Sequence, residues 1–214
     1  MSRELLLEGA KGFGLELSER MLEQLTLFQV ELKRWNRAFN LTALKNDEQI
    51  VIKHFIDSFS VVPLLGQEEL VLDVGSGAGL PGIVAAILRG DLAITSLDAV
   101  DKKVRFQRHI CRLLGLERVT AVHERVETHL EQNSGRYHVV TSRAFRDPLR
   151  FVQVAHQLIR PGGRLIAMVA GDGREYSAVV SVIEEQFALR HRATRHYRLP
   201  RGMGERSLVV FEQT

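Results

Sequence analysis

Leu70-Val71-Leu72-Asp73-Val74-Gly75-Ser76-Gly77-Ala78-Gly79-Leu80-Pro81-Gly82-Ile83 is a short apolar run that breaks into alternating glycines and then resumes as an apolar segment. The order reads as strand, turn, helix. Alternate glycines let the backbone take φ > 0 and let a ligand approach where a β-carbon would collide, and Pro81 suits the first turn of a helix. A nucleotide-like ligand is expected at this strand end. The dinucleotide fingerprint requires Gly-x-Gly-x-x-Gly, whereas here Leu80 stands at the third position and the glycine falls at Gly79. Together with Asp73 ahead of the first glycine, that spacing favours S-adenosylmethionine over NAD, with Asp73, Gly75, Gly77 and Gly79 around the ligand.

Outward from this loop, apolar strands near 70–74, 92–98, 118–123, 137–142 and 164–169 alternate with helical patterns at 81–89, 101–114, 124–132 and 147–159. Alternation of this kind builds β-α-β units and a parallel sheet covered on both faces. After the turn Arg160-Pro161-Gly162-Gly163 the pattern changes, and 189–199 and 207–211 predict two closing strands. The expectation is an α/β, doubly wound, mostly parallel seven-stranded sheet over residues 66–214.

Residues 1–65 carry a different pattern. Met21, Leu25, Phe28, Leu32 and Trp35 recur at helical steps behind Ser18, a candidate N-cap. A second helix is predicted over 47–62, with Val51, Phe55, Phe59 and Val62 on its buried stripe. This region reads as a helical cap on the sheet domain.

With 214 residues and 45% hydrophobic content, the chain can bury a full core. The single cysteine, Cys111, excludes an internal disulfide and a cysteine-rich zinc site, no metal site is expected from the scattered histidines, and no signal segment opens the chain. A cytoplasmic setting is expected. No apolar run approaches the roughly 20 residues of a membrane span, so no membrane partner is expected. A net charge of +3 permits a polyanionic partner without requiring one.

In a doubly wound sheet ligands bind beyond the carboxyl ends of the strands. Asp98 ends the second strand, where a carboxylate can accept hydrogen bonds from ribose hydroxyls; the plainer alternative, a cap for the following helix, can be filled by Asp101. Glu124-Arg125-Val126-Glu127 follows the third strand, where backbone can meet an adenine edge, or is simply an acidic first helical turn. Ser142-Arg143-Ala144-Phe145 follows the fourth. Arginine is seldom buried without a partner, so Arg143 reads as functional, with an ion pair to Asp73 or Asp147 as the structural alternative.

Two basic surfaces remain. Lys102, Arg105, His109 and Arg112 share one face of the 101–114 helix, opposite Phe106, Ile110 and Leu113, and such a face is usually just solvated. Arg190, Arg192, Arg195, Arg198, Arg201 and Arg206 make a denser set that points to nucleic-acid phosphates. His54 and Asp57, three apart, share a helix face and read from the pattern alone as an exposed pair.

Taken in order, Trp35-Asn36 to Asn40-Leu41-Thr42, Lys53-His54 with Asp57-Ser58, the Asp73 to Ile83 loop, Lys103-Val104-Arg105-Phe106, Arg125-Val126-Glu127, Ser142-Arg143-Ala144-Phe145 and Gly204-Glu205-Arg206 resemble one family along nearly the whole chain. It is the bacterial 16S ribosomal RNA guanine-N7 methyltransferases, also called glucose-inhibited division protein B. The resemblance implies methylation of one guanine N7 in the decoding-region pseudoknot, giving 7-methylguanosine, with S-adenosylmethionine as donor and 16S ribosomal RNA or the small subunit as partner; a monomer is expected. It places cofactor contacts on Gly75, Leu80, the backbone around Val126 and Glu127, and Arg143, and Arg143 is further expected to bridge the cofactor pocket and the target guanosine as the catalytic residue. RNA contacts are expected at Asn36, Asn40, Lys53, His54, Arg195 and Arg206. Two departures stand out: Lys53 replaces an arginine, which loses a bidentate fork, and Met168-Val169-Ala170-Gly171 lacks a lysine before the glycine. A small-molecule methyltransferase and a non-catalytic adenosyl-ligand-binding, RNA-associated protein stay open as alternatives.

Overall fold

A computed structural model describes residues 2–143 and 147–214. Its centre is a seven-stranded sheet in the order β3-β2-β1-β4-β5-β7-β6. The strands are β1 (Leu70–Val74), β2 (Ala93–Asp98), β3 (Val119–His123), β4 (Tyr137–Ser142), β5 (Ile159–Ala170), β6 (Leu189–Arg198) and β7 (Glu205–Gln213). β1 to β5 run parallel, and β7 lies antiparallel between β5 and β6. β1 has β2 on one side and β4 on the other, so chain order reverses there. A crevice beyond the carboxyl ends of β1 and β4 follows from that reversal.

The N-terminal region forms α1 (Ser2–Gly12) and α2 (Glu19–Phe39), then α3 (Asp47–Ile50), a π-helical run Val51–Ile56 and α4 (Asp57–Phe59). Ser18 caps α2 by accepting from the Met21 N–H at 3.3 Å. Leu25, Phe28 and Leu32 are fully buried, each stabilising by about 1.5–3 kcal/mol, while Met21 and Trp35 pack at the margin. Val51, Phe55, Phe59 and Val62 are all buried as expected. These helices share one continuous apolar core with a face of the sheet, including Val71, Ile94, Val139 and Leu208.

Between the strands stand α5 (Gly82–Leu88), α6 (Asp101–Leu114), α7 (Val126–Asn133) and α8 (Pro148–Ala155). The α6 stripe is corrected in one position: Leu114 is buried and Leu113 is 46% exposed. Asp101 does not cap α6. It is the first helical residue and pairs with Arg105 at 2.7 Å. Arg160-Pro161-Gly162-Gly163 is not a turn ahead of β5 but a bulge within it, with Tyr137 opposite Ile159 and Val139 opposite Arg164. A β-carbon at Gly163 would lie 2.9 Å from both the Arg160 and His138 carbonyls, so the bulge needs glycine there. Two short helices missing from the sequence reading, α9 (Arg174–Ser177) and α10 (Val180–Gln186), fill the β5–β6 connection and bury Tyr176 and Ile183.

Candidate active site

Gly75, Gly77 and Gly79 all take positive φ, at 67°, 61° and 89°. Gly79 is also sterically fixed, because a β-carbon there would come within 2.3 Å of Ile83 Cδ1. The loop is tied down at Ser76 and Gly77. Gly77 N–H donates to Asp98 Oδ2 at 2.8 Å, and Gln107 Nε2 donates to the Gly77 carbonyl at 2.7 Å and to Ser76 Oγ at 2.8 Å. Leu80, buried, begins the turn into α5 through its N–H to the Ser76 carbonyl.

Asp73 is fully buried under this loop. Its Oδ2 accepts from Gly82 N–H at 2.8 Å, while Oδ1 has no partner among the described residues. Burial raises its carboxyl from the ordinary value of 3.8 to about 7, against the opposing pull of the Gly82 N–H and the Arg143 charge. An unpartnered buried oxygen beside a glycine cradle is prepared for a donor or a cation. Asp98 accepts at Oδ1 from Val100 N–H at 2.9 Å and meets Lys103 at 3.4 Å. Each carboxylate oxygen accepts more than one hydrogen bond, so holding the loop leaves capacity for ribose hydroxyls.

Helix α7 starts at Val126, two residues later than expected, which leaves Glu124 in the preceding turn on His129 Nδ1 at 3.1 Å. Val126 and Glu127 are thereby the first two helical residues, whose N–H groups have no partner within the helix. They lie at the strand end next to Asp98, since β3 pairs β2 with His123 opposite Asp98.

At the carboxyl end of β4, Ser142 Oγ donates to the Val74 carbonyl at 2.8 Å and closes the strand pair at the crevice. Arg143 follows. Its ion pair is neither to Asp73 nor to Asp147, which instead caps α8 by accepting from Arg150 N–H. Arg143 reaches across to the helical cap: it donates to the Lys53 carbonyl at 2.9 Å, lies 3.5 Å from Asp57 Oδ2, and is 3.4 Å from His54 Nδ1. Ala144 and Phe145 of the same motif lie outside the described residues.

His54 and Asp57 are not an exposed pair; they are 9% and 3% exposed. Burial and the neighbouring Arg143 hold the His54 imidazole down at about 3, so it is neutral at ordinary pH. Its Nε2 lies 2.8 Å from Thr42 Oγ1, so both ring nitrogens are occupied. Asp57 gathers three partners: Arg143, the Tyr197 hydroxyl donating at 2.8 Å, and Arg206 at 3.6 Å. Lys53, His54, Asp57, Arg143, Arg206 and the Met168–Ala170 segment line a cavity of about 210 Å³. With His54 neutral, three cations face one carboxylate there.

The other basic residues are less free than the sequence implied. Arg192 pairs with Glu212, Arg198 with Glu205, Arg201 with Glu48 and His109 with Glu31. Arg195 is exposed on the edge strand β6, without an acidic partner among the described residues. Asn36 accepts from Thr42 N–H at 2.8 Å, and Asn40 ends α2 in the left-handed region at φ 49°. Cys111 is buried in α6 with its thiol pushed up to about 12, far from nucleophilic use. Among the described residues there is no metal-ligating cluster, and no helix is long and apolar enough to cross a membrane.

A glycine loop over a buried carboxylate, an acid at the next strand end and an arginine at the switch point coincide with a family model described as rRNA small subunit methyltransferase G, which matches residues 21–191. The chain belongs to that family. A ribosomal RNA small subunit methyltransferase G of Geobacter metallireducens is 39% identical over 209 residues, covering 98% of this chain and 95% of the relative. Another of the same name, from Aromatoleum aromaticum, is 41% identical over 172 residues, covering 78% and 81%. Among solved structures, a SAM dependent methyltransferase from Aquifex aeolicus matches with a TM-score of 0.60 at 17% identity, covering 80% of this chain and 96% of that one. The chain thus has the Rossmann-like fold of S-adenosylmethionine-dependent methyltransferases. The site fits that cofactor on its own chemistry: the unpartnered Asp73 Oδ1 suits a cationic ligand, and Asp98 suits a ribose.

Proposed function

We propose that the protein methylates N7 of one guanine in the decoding-region pseudoknot of 16S ribosomal RNA, producing 7-methylguanosine. The observation that carries this reading is the place of Arg143, at the crevice between the glycine loop and the cationic cavity of Lys53 and Arg206. A residue so placed can touch donor and acceptor together.

When bound, S-adenosylmethionine supplies an electrophilic methyl group. Gly75, Gly77, Gly79 and Leu80 would hold it in a backbone cradle over Asp73, with Asp98 available to its ribose and the Val126 and Glu127 N–H groups to its adenine. Guanine N7 is an unprotonated acceptor on the base edge and attacks without first losing a proton. A general base is unnecessary, in keeping with His54, neutral and saturated. Catalysis then rests on alignment of the reacting atoms, with the guanidinium of Arg143 fixed by Lys53, His54 and Asp57 to orient the guanosine. Asn36, Asn40, Lys53, Arg195 and Arg206 contact RNA, and residues 1–65 act as a helical cap on the 66–214 methyltransferase domain. His54, reached through Thr42 and Arg143, supports RNA recognition from behind the surface. The reading further implies a cytoplasmic monomer.

The test compares wild-type protein and Arg143→Ala with labelled S-adenosylmethionine and unmodified small-subunit RNA. Transfer to the RNA that falls at least ~100-fold in the variant, the scale of removing one preorganised donor, is expected. Equal rates would refute the role of Arg143, and transfer to small molecules in the absence of RNA would favour the small-molecule alternative.

A further inference from the structure

Beyond the cavity at Arg143, a second concavity of about 400 Å³ opens at the carboxyl end of α2, lined by Lys33, Asn36, Arg37, Asn40, Leu44 and Lys45. Its chemistry is uneven in a telling way. Lys33 pairs with Asp47, but Arg37 and Lys45 are exposed and have no acidic partner among the described residues. Asn36 spends its carbonyl oxygen on Thr42 N–H and keeps its amide donors free among the described residues. Leu44, half-buried in the wall, offers an apolar surface. Arg37 in the last turn of α2 also complements the helix dipole, a role that needs neither the concave shape nor Lys45 across from it.

Cations for a phosphate, amides for a base edge and an apolar wall for a ring are what an unstacked nucleotide requires. The position limits which nucleotide. Asn36 holds Thr42, Thr42 Oγ1 is 2.8 Å from His54 Nε2, and His54 Nδ1 is 3.4 Å from Arg143. The concavity and Arg143 therefore sit on opposite sides of a single Thr42–His54 bridge.

We infer that this concavity binds a nucleotide of the substrate RNA that flanks the methylated guanosine, with Arg37 and Lys45 on its phosphates. The inference rests on the RNA-methyltransferase reading and names a recognition subsite within it.

The experiment measures binding of protein-free small-subunit RNA, without cofactor, to wild-type protein, Arg37→Ala/Lys45→Ala and the control Arg20→Ala/Arg118→Ala. Arg20 is an exposed cation on α2, sixteen residues before Asn36 and so about 24 Å along the helix, and Arg118 is an exposed cation immediately ahead of β3. The Arg37/Lys45 variant is expected to weaken RNA binding about tenfold at physiological salt and to flatten the log Kd against log salt slope by about 1.4–1.8, at roughly 0.7–0.9 per phosphate contact. S-adenosylmethionine affinity stays at the wild-type value. Equal losses in the control would reduce the effect to net charge and overturn the subsite, as would an unchanged slope. An effect confined to assembled subunits, absent on protein-free RNA, would assign the concavity to a ribosomal protein instead. Because binding is read without methyl transfer, a failure of the proposed reaction is seen separately, as intact RNA binding with no labelled product.

Discussion

Replacing Asp73 with asparagine keeps the shape and the acceptor for Gly82 N–H but removes a carboxyl that burial lifts from 3.8 to about 7. A carboxyl with a raised folded-state value binds more protons when folded, so its contribution to stability falls as pH rises from about 4 to about 7 and is constant above. Between about pH 5 and pH 8 this amounts to close to two pKa units, or about 3 kcal/mol at 1.36 kcal/mol per unit. His54 acts in the opposite sense. Held at about 3 when folded, it adds stability as pH rises from about 3 to about 6.5. The two groups offset each other over much of that window, so the wild-type curve alone is uninformative. The difference between wild type and Asp73→Asn isolates Asp73. Urea denaturation across this range should show the variant gaining about 3 kcal/mol on wild type between pH 5 and pH 8. Parallel curves would mean that Asp73 is ionised throughout in the folded state, and would refute the account of its burial.

Gly79→Ala places a methyl group 2.3 Å from Ile83 Cδ1 at φ 89°; a loss of about 2–4 kcal/mol is expected from overpacking and left-handed strain, measured by denaturation together with weakened S-adenosylmethionine binding in calorimetry. Arg143→Lys should fail to restore the activity lost in Arg143→Ala, since Nη1 meets the Lys53 carbonyl and Asp57 while Nη2 meets His54 Nδ1, and an ammonium lacks that second nitrogen of the planar fork; recovery above half the wild-type rate would contradict this. Tyr197→Phe removes the hydroxyl donor to Asp57 and should cost about 1–2 kcal/mol of stability. Cys111, buried with its thiol at about 12, should resist alkylation at pH 8 until the protein is unfolded, as mass spectrometry of native and denatured samples would record.

The sheet domain was legible because its signals are local. Asp73 to Gly79 carries its own turn chemistry, and the 101–114 helix has the periodicity of a helix with one buried face. His54 and Asp57 were read as exposed because only their spacing was weighed. Their neighbours carried the missing signal: Ile50, Val51, Ile52, Phe55, Ile56, Phe59, Val61 and Val62 surround them, and a helix apolar on every side is buried. Polar residues on such a helix must be partnered, and these are partnered by Arg143, Tyr197, Arg206 and Thr42. Those contacts span up to 140 positions, beyond what any local pattern encodes. The π-helical run through Lys53 and His54 likewise has no sequence period of its own. Tyr176, Val180, Ile183 and Phe187 recur at steps of three and four, a helical period that marks the helices between β5 and β6. The density of arginine in the closing strands does not by itself reveal that strand pairing brings Arg192 and Arg198 beside Glu212 and Glu205.

Methyl transfer to guanine N7 is tested by mapping the labelled base. Incubation with labelled S-adenosylmethionine and small-subunit RNA lacking the modification should place the label on N7 of one guanine in the decoding-region pseudoknot. Label on another base, or at an oxygen or exocyclic nitrogen, would contradict it.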